Sequence, residues 1–392
     1  MGSARLRAGQ RPLAIGCEYM MVDSGEAHGY RPPMHVLMLG VDPTASVGGG
    51  ISTVARTYMR AAALHGVRIP YHTTVAAEGS RAHKIRTMVE GQLGFARLLS
   101  ADPPDLVHIH IADGPSFWRK AAYAREAQLA GVPVCLHGHF TTLIDLFRDS
   151  RQVRRRMIQR VFADADVCFA LSTDMERQIS EMSDGQAHIE ILRNPCPPDG
   201  FDPSPRPATD HPTVLFMGRV GDRKGIFDLV AAWPEVCRAV PGARLTVGGD
   251  GDLERLRGDV ANHGIGASVD ILGWVSGDDR MKAWRTADVF CLPSYAEGLP
   301  MSVLEAMGSG LPVVSTAING TPDAVTDGIT GFLHEPGDRA TLAAHLITLL
   351  ASHDLRIQQG RAGYERVIAE FDPERQAARL HQVWSDVAKS SR

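Results

Sequence analysis

The sequence predicts an α/β protein with two domains, each built on a parallel sheet. Its 392 residues are too many for one comfortable hydrophobic core. Short apolar runs alternate with helical patterns along most of the chain, which is typical of strand–helix–strand units. Near the middle, seven prolines between Pro195 and Pro212 interrupt this alternation and indicate an interdomain linker.

These features divide the chain into five segments. The first convincing strand begins at Met34, the next domain begins with a strand at Thr213, and the last segment is an amphipathic helix. We therefore expect a tail (1–33), an N-terminal domain (34–194), a linker (195–212), a C-terminal domain (213–371) and a helix that packs back across both domains (372–392).

Composition excludes several classes of protein. Charged residues make up 22% of the chain and the formal net charge is -4, so no overall positive field attracts nucleic acid. The six cysteines form no CxxC pair, which favours buried free thiols in a reducing compartment. No apolar run is long enough to cross a bilayer, and residues 1–16 lack the apolar core of a signal peptide. We expect a cytoplasmic protein.

A glycine run follows the first strand. Met34–Leu39 leads into Gly48, Gly49 and Gly50, and a helix is predicted from about Ser52 to His65. Backbone N–H groups and the helix dipole would face one point there, which suits an anion. The alternative is a plain flexible turn.

Histidines lie on the two strands that follow. His108 and His110 alternate with aliphatic residues, and since no third ligand lies at a usual spacing, we interpret them as structural rather than metal ligands. The strand Gly131–Leu136 ends at His137 and His139, and a lone histidine at a strand end is usually structural. Further on, Thr173 is expected to cap a helix that starts at Asp174.

The stretch 143–162 is rich in arginine. Apolar residues recur in it at intervals of three and four, so it predicts a basic amphipathic helix. Such a surface can rest on anionic lipid, which would make the protein peripheral to a membrane. A helix face that is merely solvated is the alternative.

Cations follow the first strand of the second half. Arg219 and Lys224 lie in a glycine-rich loop between a strand and a helix, where two fixed cations beside a helix N-terminus suit a diphosphate. The next strand ends in a second glycine turn at Gly249, which is expected to line the same pocket.

The stretch 291–316 reads as strand, loop, helix and strand. Its loop carries Glu297, Gly298, Leu299 and Pro300, and its helix carries Glu305. The loop leaves the carboxyl end of a parallel strand, where open α/β sheets bind ligands. Taken alone, each acid would be a solvated surface residue.

Together, the residues E-G-L-P-M-S-V-L-E-A-M resemble the donor-site signature of retaining glycosyltransferase family 4, with seven residues between Glu297 and Glu305. The His-Gly step at His137 and the Gly-Arg and Lys-Gly steps around Arg219 and Lys224 are similar to the same family. Three places depart from its pattern: Arg-Asn-Pro-Cys follows the last strand of the first half, Asp222-Arg223 precedes Lys224, and Asp323 stands where glutamate is usual.

The resemblance implies the GT-B architecture, two Rossmann-like domains facing a cleft. It implies that Arg219 and Lys224 hold the leaving diphosphate, and that Glu297, Glu305 and His137 contact the sugar, the ribose and the transferred sugar respectively. Gly49 and Gly50 would approach the donor phosphates or the acceptor, and Gly249 the nucleotide. We identify no D-x-D element at a strand end that would hold a divalent metal, and cationic side chains are expected to replace it, so neither a metal nor another cofactor is expected.

The sequence thus predicts a retaining, metal-independent transferase of hexosyl units from a UDP- or GDP-linked sugar. The expected acceptor is a glycan, specifically a polyprenyl-diphosphate-linked saccharide in exopolysaccharide or cell-surface glycan synthesis. Three alternatives stay open: a transferase with a soluble acceptor, an epimerase or phosphorylase of similar architecture, and a non-catalytic sensor of nucleotide sugars.

Overall fold

The computed structural model describes residues 34–40, 50–64, 66–74, 80–196 and 201–390. Within them the chain forms two parallel six-stranded sheets flanked by helices. The first half contains β1 (Val36–Gly40), α1 (Gly50–Leu64), β2 (Tyr71–Thr73), α2 (Arg81–Ala101), β3 (Leu106–Ile111), α3 (Pro115–Leu129), β4 (Val134–Gly138), α4 (Leu143–Asp149), α5 (Gln152–Ala163), β5 (Val167–Ala170), α6 (Thr173–Ser183) and β6 (Ile189–Ile191).

The second half repeats this alternation of strands and helices. It contains β7 (Thr213–Met217), a 3₁₀ turn (Asp222–Lys224), α7 (Ile226–Ala239), β8 (Arg244–Gly248), α8 (Leu253–Asn262), a 3₁₀ turn (Gly266–Ser268), β9 (Val269–Gly273), α9 (Gly277–Thr286), β10 (Val289–Leu292), α10 (Met301–Gly308), β11 (Val313–Thr316), α11 (Thr321–Ala324), β12 (Gly331–His334), α12 (Arg339–Ala351), α13 (His353–Glu370) and α14 (Pro373–Ser390).

Strand order places a ligand crevice in each sheet. The first sheet runs β2-β1-β3-β4-β5-β6 and the second runs β12-β11-β10-β7-β8-β9. The order therefore reverses between β1 and β3 and between β7 and β10, and ligands bind at the carboxyl ends of strands beside such a reversal. The predicted fold class, two parallel-sheet α/β domains, is confirmed.

The last helix packs on the first sheet. Leu380, Val383 and Trp384 of α14 lie in one buried cluster with Met38 and Leu106 of the first sheet. Side chains alternate along β3, so the residues that share the face of Leu106 are His108 and His110. The helix that ends the chain thus covers the face of the sheet that carries these histidines.

Two local predictions are wrong. The basic stretch is two helices, α4 and α5, because Ser150 is extended and its hydroxyl donates to the Leu146 carbonyl (2.6 Å) instead of continuing the helix. Helix α6 begins at Thr173, and its cap is Ser172, whose hydroxyl accepts from the Met175 amide (3.2 Å).

Five cysteines lie in the part of the chain that the structure describes, and all are free thiols; they are Cys135, Cys168, Cys196, Cys237 and Cys291. This agrees with the expectation of unpaired thiols. No helix among the described residues is both long and apolar enough to span a membrane.

Candidate active site

The two loops that carry the predicted donor residues leave adjacent strands. Lys224 follows β7 and Glu297 follows β10, and these strands flank the reversal of strand order in the second sheet. Lys224 Nζ donates to Glu297 Oε1 at 2.5 Å, and the Ser294 hydroxyl donates to the same oxygen at 2.7 Å. The Glu297 side chain is buried, so the pair forms a fixed, largely dehydrated ion pair at the crevice.

A glycine allows the two loops to meet. Gly225 has φ +67°, and a Cβ there would lie 1.8 Å from the Pro293 carbonyl oxygen. Only glycine fits both the left-handed backbone and this close approach. The Lys-Gly step of the sequence thus has a direct physical cause: it brings Lys224 against the loop of Glu297.

Glu305 is also buried and lies on α10, the helix that follows the loop of Glu297. Its Oε2 accepts from Arg280 Nη2 of α9 at 2.5 Å. Burial raises the pKa of Glu305, and the Arg280 guanidinium opposes that rise. Sequence reasoning missed Arg280 because its partner lies on a different helix, and nothing in the local pattern of α9 indicates the contact.

Arg219 stands apart from this group. Its side chain is 72% exposed and lies 3.9 Å from an Asp250 oxygen. The neighbouring Arg223 donates to the Ala296 carbonyl at 3.0 Å and so braces the loop of Glu297. The structure therefore brings Lys224, but not Arg219, into contact with Glu297.

The glycine turn after β8 also lies at this edge. Gly249 has φ +141° and donates its N–H to the Gly273 carbonyl at 2.7 Å. A Cβ at Gly249 would lie 1.8 Å from the Gly218 carbonyl oxygen, so the turn packs directly on the loop that begins at β7. In the loop after β10, Leu299 and Pro300 are buried, and a Cβ at Gly298 would lie 3.4 Å from Leu171 Cδ1.

Contacts across the cleft involve residues whose roles the sequence left open. The Asp323 carboxylate accepts from the Thr173 hydroxyl at 2.6 Å, at the start of α6. Asn319 accepts from the Glu297 amide at 3.3 Å and donates to Asp174 at 3.2 Å. Asn319 thus links the loop of Glu297 to the opposite domain, through a left-handed backbone (φ 43°) that asparagine tolerates.

On the N-terminal side, Gly49 lies outside the described residues. Gly50 begins α1, and a Cβ at Gly50 would lie 3.4 Å from Met301 Cγ at the start of α10. Asn194 donates to the Leu299 carbonyl at 2.9 Å. The start of α1 and the end of the first half therefore both meet the loop and helix of the donor residues.

Four histidines cluster at the ends of β3 and β4; His108, His110 and His137 are buried, and His139 is half-buried. Parallel pairing places His110 directly beside His137. His108 Nε2 lies 3.2 Å from His137 Nδ1, and His110 Nδ1 lies 2.9 Å from His139 Nε2. His137 Nε2 is buried without a hydrogen-bond partner.

The sequence shows no third ligand at a usual spacing from His108 and His110, but the fold brings one close to them in space. Nitrogens of His108, His110 and His137 lie within 4.8 Å of one another, and the third comes from the neighbouring strand. Sequence spacing could not show this, because the register between β3 and β4 decides it. These contacts nevertheless have the form of hydrogen bonds between neutral rings.

The cluster makes stability depend on pH. Burial lowers the pKa of His137 to about 3 and lowers those of His108, His110 and His139 well below the usual 6.5. Below pH 6.5 the unfolded chain therefore binds more protons than the folded chain, and the free energy of unfolding falls as pH falls. Each histidine contributes up to about 1.4 kcal/mol per pH unit.

Urea unfolding at pH 7.5, 6.5 and 5.5 measures this slope. His108→Phe should make it shallower, whereas replacement of the exposed His263 by glutamine should leave it unchanged. A stability that does not vary over this range would contradict the neutral cluster.

Two family models match the chain, one in each half. The model of the "Glycosyl transferase 4-like domain" matches residues 29–195, and that of "Glycosyl transferases group 1" matches residues 201–366. Glycogen synthase of Mycobacterium tuberculosis is 29% identical over 305 residues, which are 74% of this chain and 70% of that protein. Phosphatidyl-myo-inositol mannosyltransferase of Mycobacterium leprae is 29% identical over 337 residues, 83% of each chain.

The solved structures show the same fold. The structure of Anabaena Alr3699/HepE in complex with UDP and glucose superposes with a TM-score of 0.69 at 17% identity, over 90% of this chain and 100% of the other. At this identity the likeness supports the architecture alone. It agrees with the two-domain arrangement that the strand order establishes.

Proposed function

The chain belongs to the group 1 glycosyltransferases, with a family 4-like N-terminal domain, and we propose that it transfers a hexosyl unit from a UDP- or GDP-linked sugar with retention of anomeric configuration. The observation that carries this proposal is the buried pair of Lys224 and Glu297 beside Glu305 at the reversal of strand order.

The chemistry follows from where charge develops. When the anomeric bond breaks, negative charge grows on the leaving diphosphate. An ammonium has three N–H donors, so Lys224 can hold Glu297 and the diphosphate together. Arg219 is exposed and unconstrained enough to close on the diphosphate from the other side. These cations take the part that a metal plays in other transferases, so the proposal requires no metal and no other cofactor.

The remaining residues contact the sugar and the nucleotide. Glu297 holds the hydroxyls of the transferred sugar, and Glu305 holds the ribose hydroxyls. His137 meets the transferred sugar from the N-terminal domain, and Gly49 and Gly50 meet the donor phosphates or the acceptor. The glycine turn at Gly249 lies along the nucleotide.

We propose that the acceptor is a lipid-linked glycan, a polyprenyl-diphosphate saccharide. Helix α5 presents Val153 (73% exposed) and Met157 (53% exposed) one turn apart. Exposed arginines surround them, and within the described residues no acidic side chain pairs with Arg151, Arg154, Arg156 or Arg160. Apolar side chains ringed by unpaired cations suit the surface of an anionic bilayer. Arg148 is not available, because it forms an ion pair with Glu181.

Replacing Arg154, Arg155 and Arg156 by glutamine should weaken binding to anionic vesicles. Each cation near such a surface is worth about 1 kcal/mol, so the triple variant should bind about 100-fold more weakly. Vesicle flotation with phosphatidylglycerol-containing liposomes measures this. The control variant neutralises the exposed Arg238, Arg257 and Lys282 of the C-terminal domain. Equal flotation of the two variants would contradict the proposed membrane contact of α5.

A soluble acceptor is the second candidate, favoured by the likeness to a glycogen synthase. Incubation with one labelled sugar nucleotide and a panel of lipid-linked and soluble glycans separates the two. The proposal expects labelled product on the lipid-linked acceptor. Product on soluble glycans alone would establish the second candidate. Turnover without any glycosylated acceptor would indicate an epimerase or phosphorylase, and donor binding without turnover a sensor.

A further inference from the structure

A chain of hydrogen bonds runs from the last helix into the histidine cluster. Trp384 Nε1 of α14 lies 3.1 Å from His108 Nδ1. His108 Nε2 in turn lies 3.2 Å from His137 Nδ1, on the next strand. All three side chains are fully buried, so water does not compete for these contacts.

The first member of the chain sets the direction of every bond in it. An indole N–H only donates, so His108 Nδ1 must accept. A neutral imidazole carries one proton, and that proton must then lie on His108 Nε2. His108 therefore donates to His137 Nδ1, and the proton of His137 must lie on Nε2. Burial, which lowers the pKa of both rings, keeps them neutral.

We propose that Trp384 is a positioning residue that fixes His137 in the tautomer with its proton on Nε2. His137 Nε2 has no partner in the described structure, so this N–H is the donor that the chain of bonds leaves unused. His137 can therefore donate a hydrogen bond to a sugar oxygen and cannot act as a general base through that nitrogen. This inference rests on the proposed function for the identity of the recipient, but not for the tautomer.

Packing holds this relay, the chain of hydrogen bonds from Trp384 through His108 to His137, in one geometry. The ring of Phe169 stacks on His108 at a centroid distance of 5.5 Å, and Trp384 meets His108 edge-on at 5.4 Å. His108 thus has both nitrogens engaged and one face of its ring covered by Phe169. A metal at His108 would have to displace the proton on Nε2 or the bond from Trp384. The same contacts make α14 part of the site.

The tautomers can be read directly from ¹⁵N shifts of histidine-labelled, chelator-treated protein, whether or not it turns over substrate. The wild type should show His108 and His137 protonated on Nε2 only. Trp384→Phe keeps an aromatic ring but removes the donor, so His137 should populate the tautomer protonated on Nδ1. Trp233→Phe is the matched control, because Trp233 is equally buried and donates to Ser268 in the other domain.

Two variants of His108 keep the test decisive if Trp384→Phe does not fold. His108→Gln retains an acceptor for Trp384 and a donor for His137, so the Nε2–H tautomer should persist. His108→Phe has neither the acceptor for Trp384 nor the donor for His137, so His137 should populate the tautomer protonated on Nδ1. A wild-type His137 protonated on Nδ1, or a tautomer unchanged in both Trp384→Phe and His108→Phe, would overturn the proposal.

Activity gives a second readout. If Trp384→Phe populates two tautomers of His137 equally, kcat/KM for the sugar nucleotide should fall about two-fold, because apparent affinity scales with the fraction of the protein in the competent form. Affinity for the free nucleotide should stay at the wild-type value, since nucleotide lacks the sugar. A protein with the expected tautomers but no transferase activity would leave the relay standing and refute the proposed function instead.

Discussion

Lys224→Ala is expected to lower kcat by about 10²–10³-fold, the loss typical when one preorganised donor to a developing anion is removed. The Lys224 ammonium lies 2.5 Å from the Glu297 carboxylate. The exposed Arg219 cannot replace it, because its side chain lies beside Asp250, which belongs to the loop after β8. Steady-state release of nucleotide from the sugar donor measures the effect. Lys282→Ala, an exposed lysine on α9, is the control and should leave kcat unchanged.

The same substitution also affects stability, and the two effects can be separated. Without Lys224, the buried Glu297 keeps only the Ser294 hydroxyl, and breaking a buried ion pair in this way costs about 3–5 kcal/mol. The double variant Lys224→Met, Glu297→Gln should recover most of that stability but none of the activity. If stability and kcat recover together, the pair is structural and Lys224 has no role at the diphosphate.

Glu305→Ala is expected to weaken nucleotide binding by about 10²–10⁴-fold. A hydrogen bond to a charged group is worth about 1.5–3 kcal/mol, and the proposal gives this carboxylate two ribose hydroxyls. Calorimetric titration with the nucleotide measures the change. Binding at the wild-type affinity would show that the ribose does not meet Glu305.

Arg280→Ala separates the carboxylate from its partner. Burial raises the pKa of Glu305 and Arg280 opposes that rise, so loss of Arg280 should raise the pKa further. Nucleotide affinity in this variant should therefore fall as pH is lowered and return as pH is raised, more steeply than in the wild type. The comparison shows whether the ionised form of Glu305 is the one that binds.

Much of the donor site can be predicted from sequence because its determinants are local. The strand before Pro293, the Lys-Gly step at Gly225 and the helix that carries Glu305 each have an adjacent turn or cap signal. Parallel strands then bring the loops after β7 and β10 to one edge without further instruction. Because both loops lie at that edge of the sheet, Lys224 can pair with Glu297.

What could not be predicted depends on register and on contacts between distant segments. Arg280 reaches Glu305 from another helix, and Asn319 crosses the cleft to Asp174. The break at Ser150 comes from one hydroxyl bonding its own backbone. Trp384 lies 276 residues from His108, so no spacing rule connects them. Where the resemblance assigns roles, as for Gly49 and Arg219, the geometry leaves them as predictions.

The central claim is that the crevice around Lys224, Glu297 and Glu305 binds a sugar nucleotide. Thermal unfolding of the purified protein with UDP, GDP and ADP, and then with sugar conjugates of the nucleotide that stabilises it, tests this most directly. A ligand at about a hundred times its dissociation constant adds roughly 2.7 kcal/mol to the free energy of unfolding. We expect UDP or GDP to raise the melting temperature of the wild type and not of Glu305→Ala. An unchanged melting temperature with all three nucleotides would contradict the donor site.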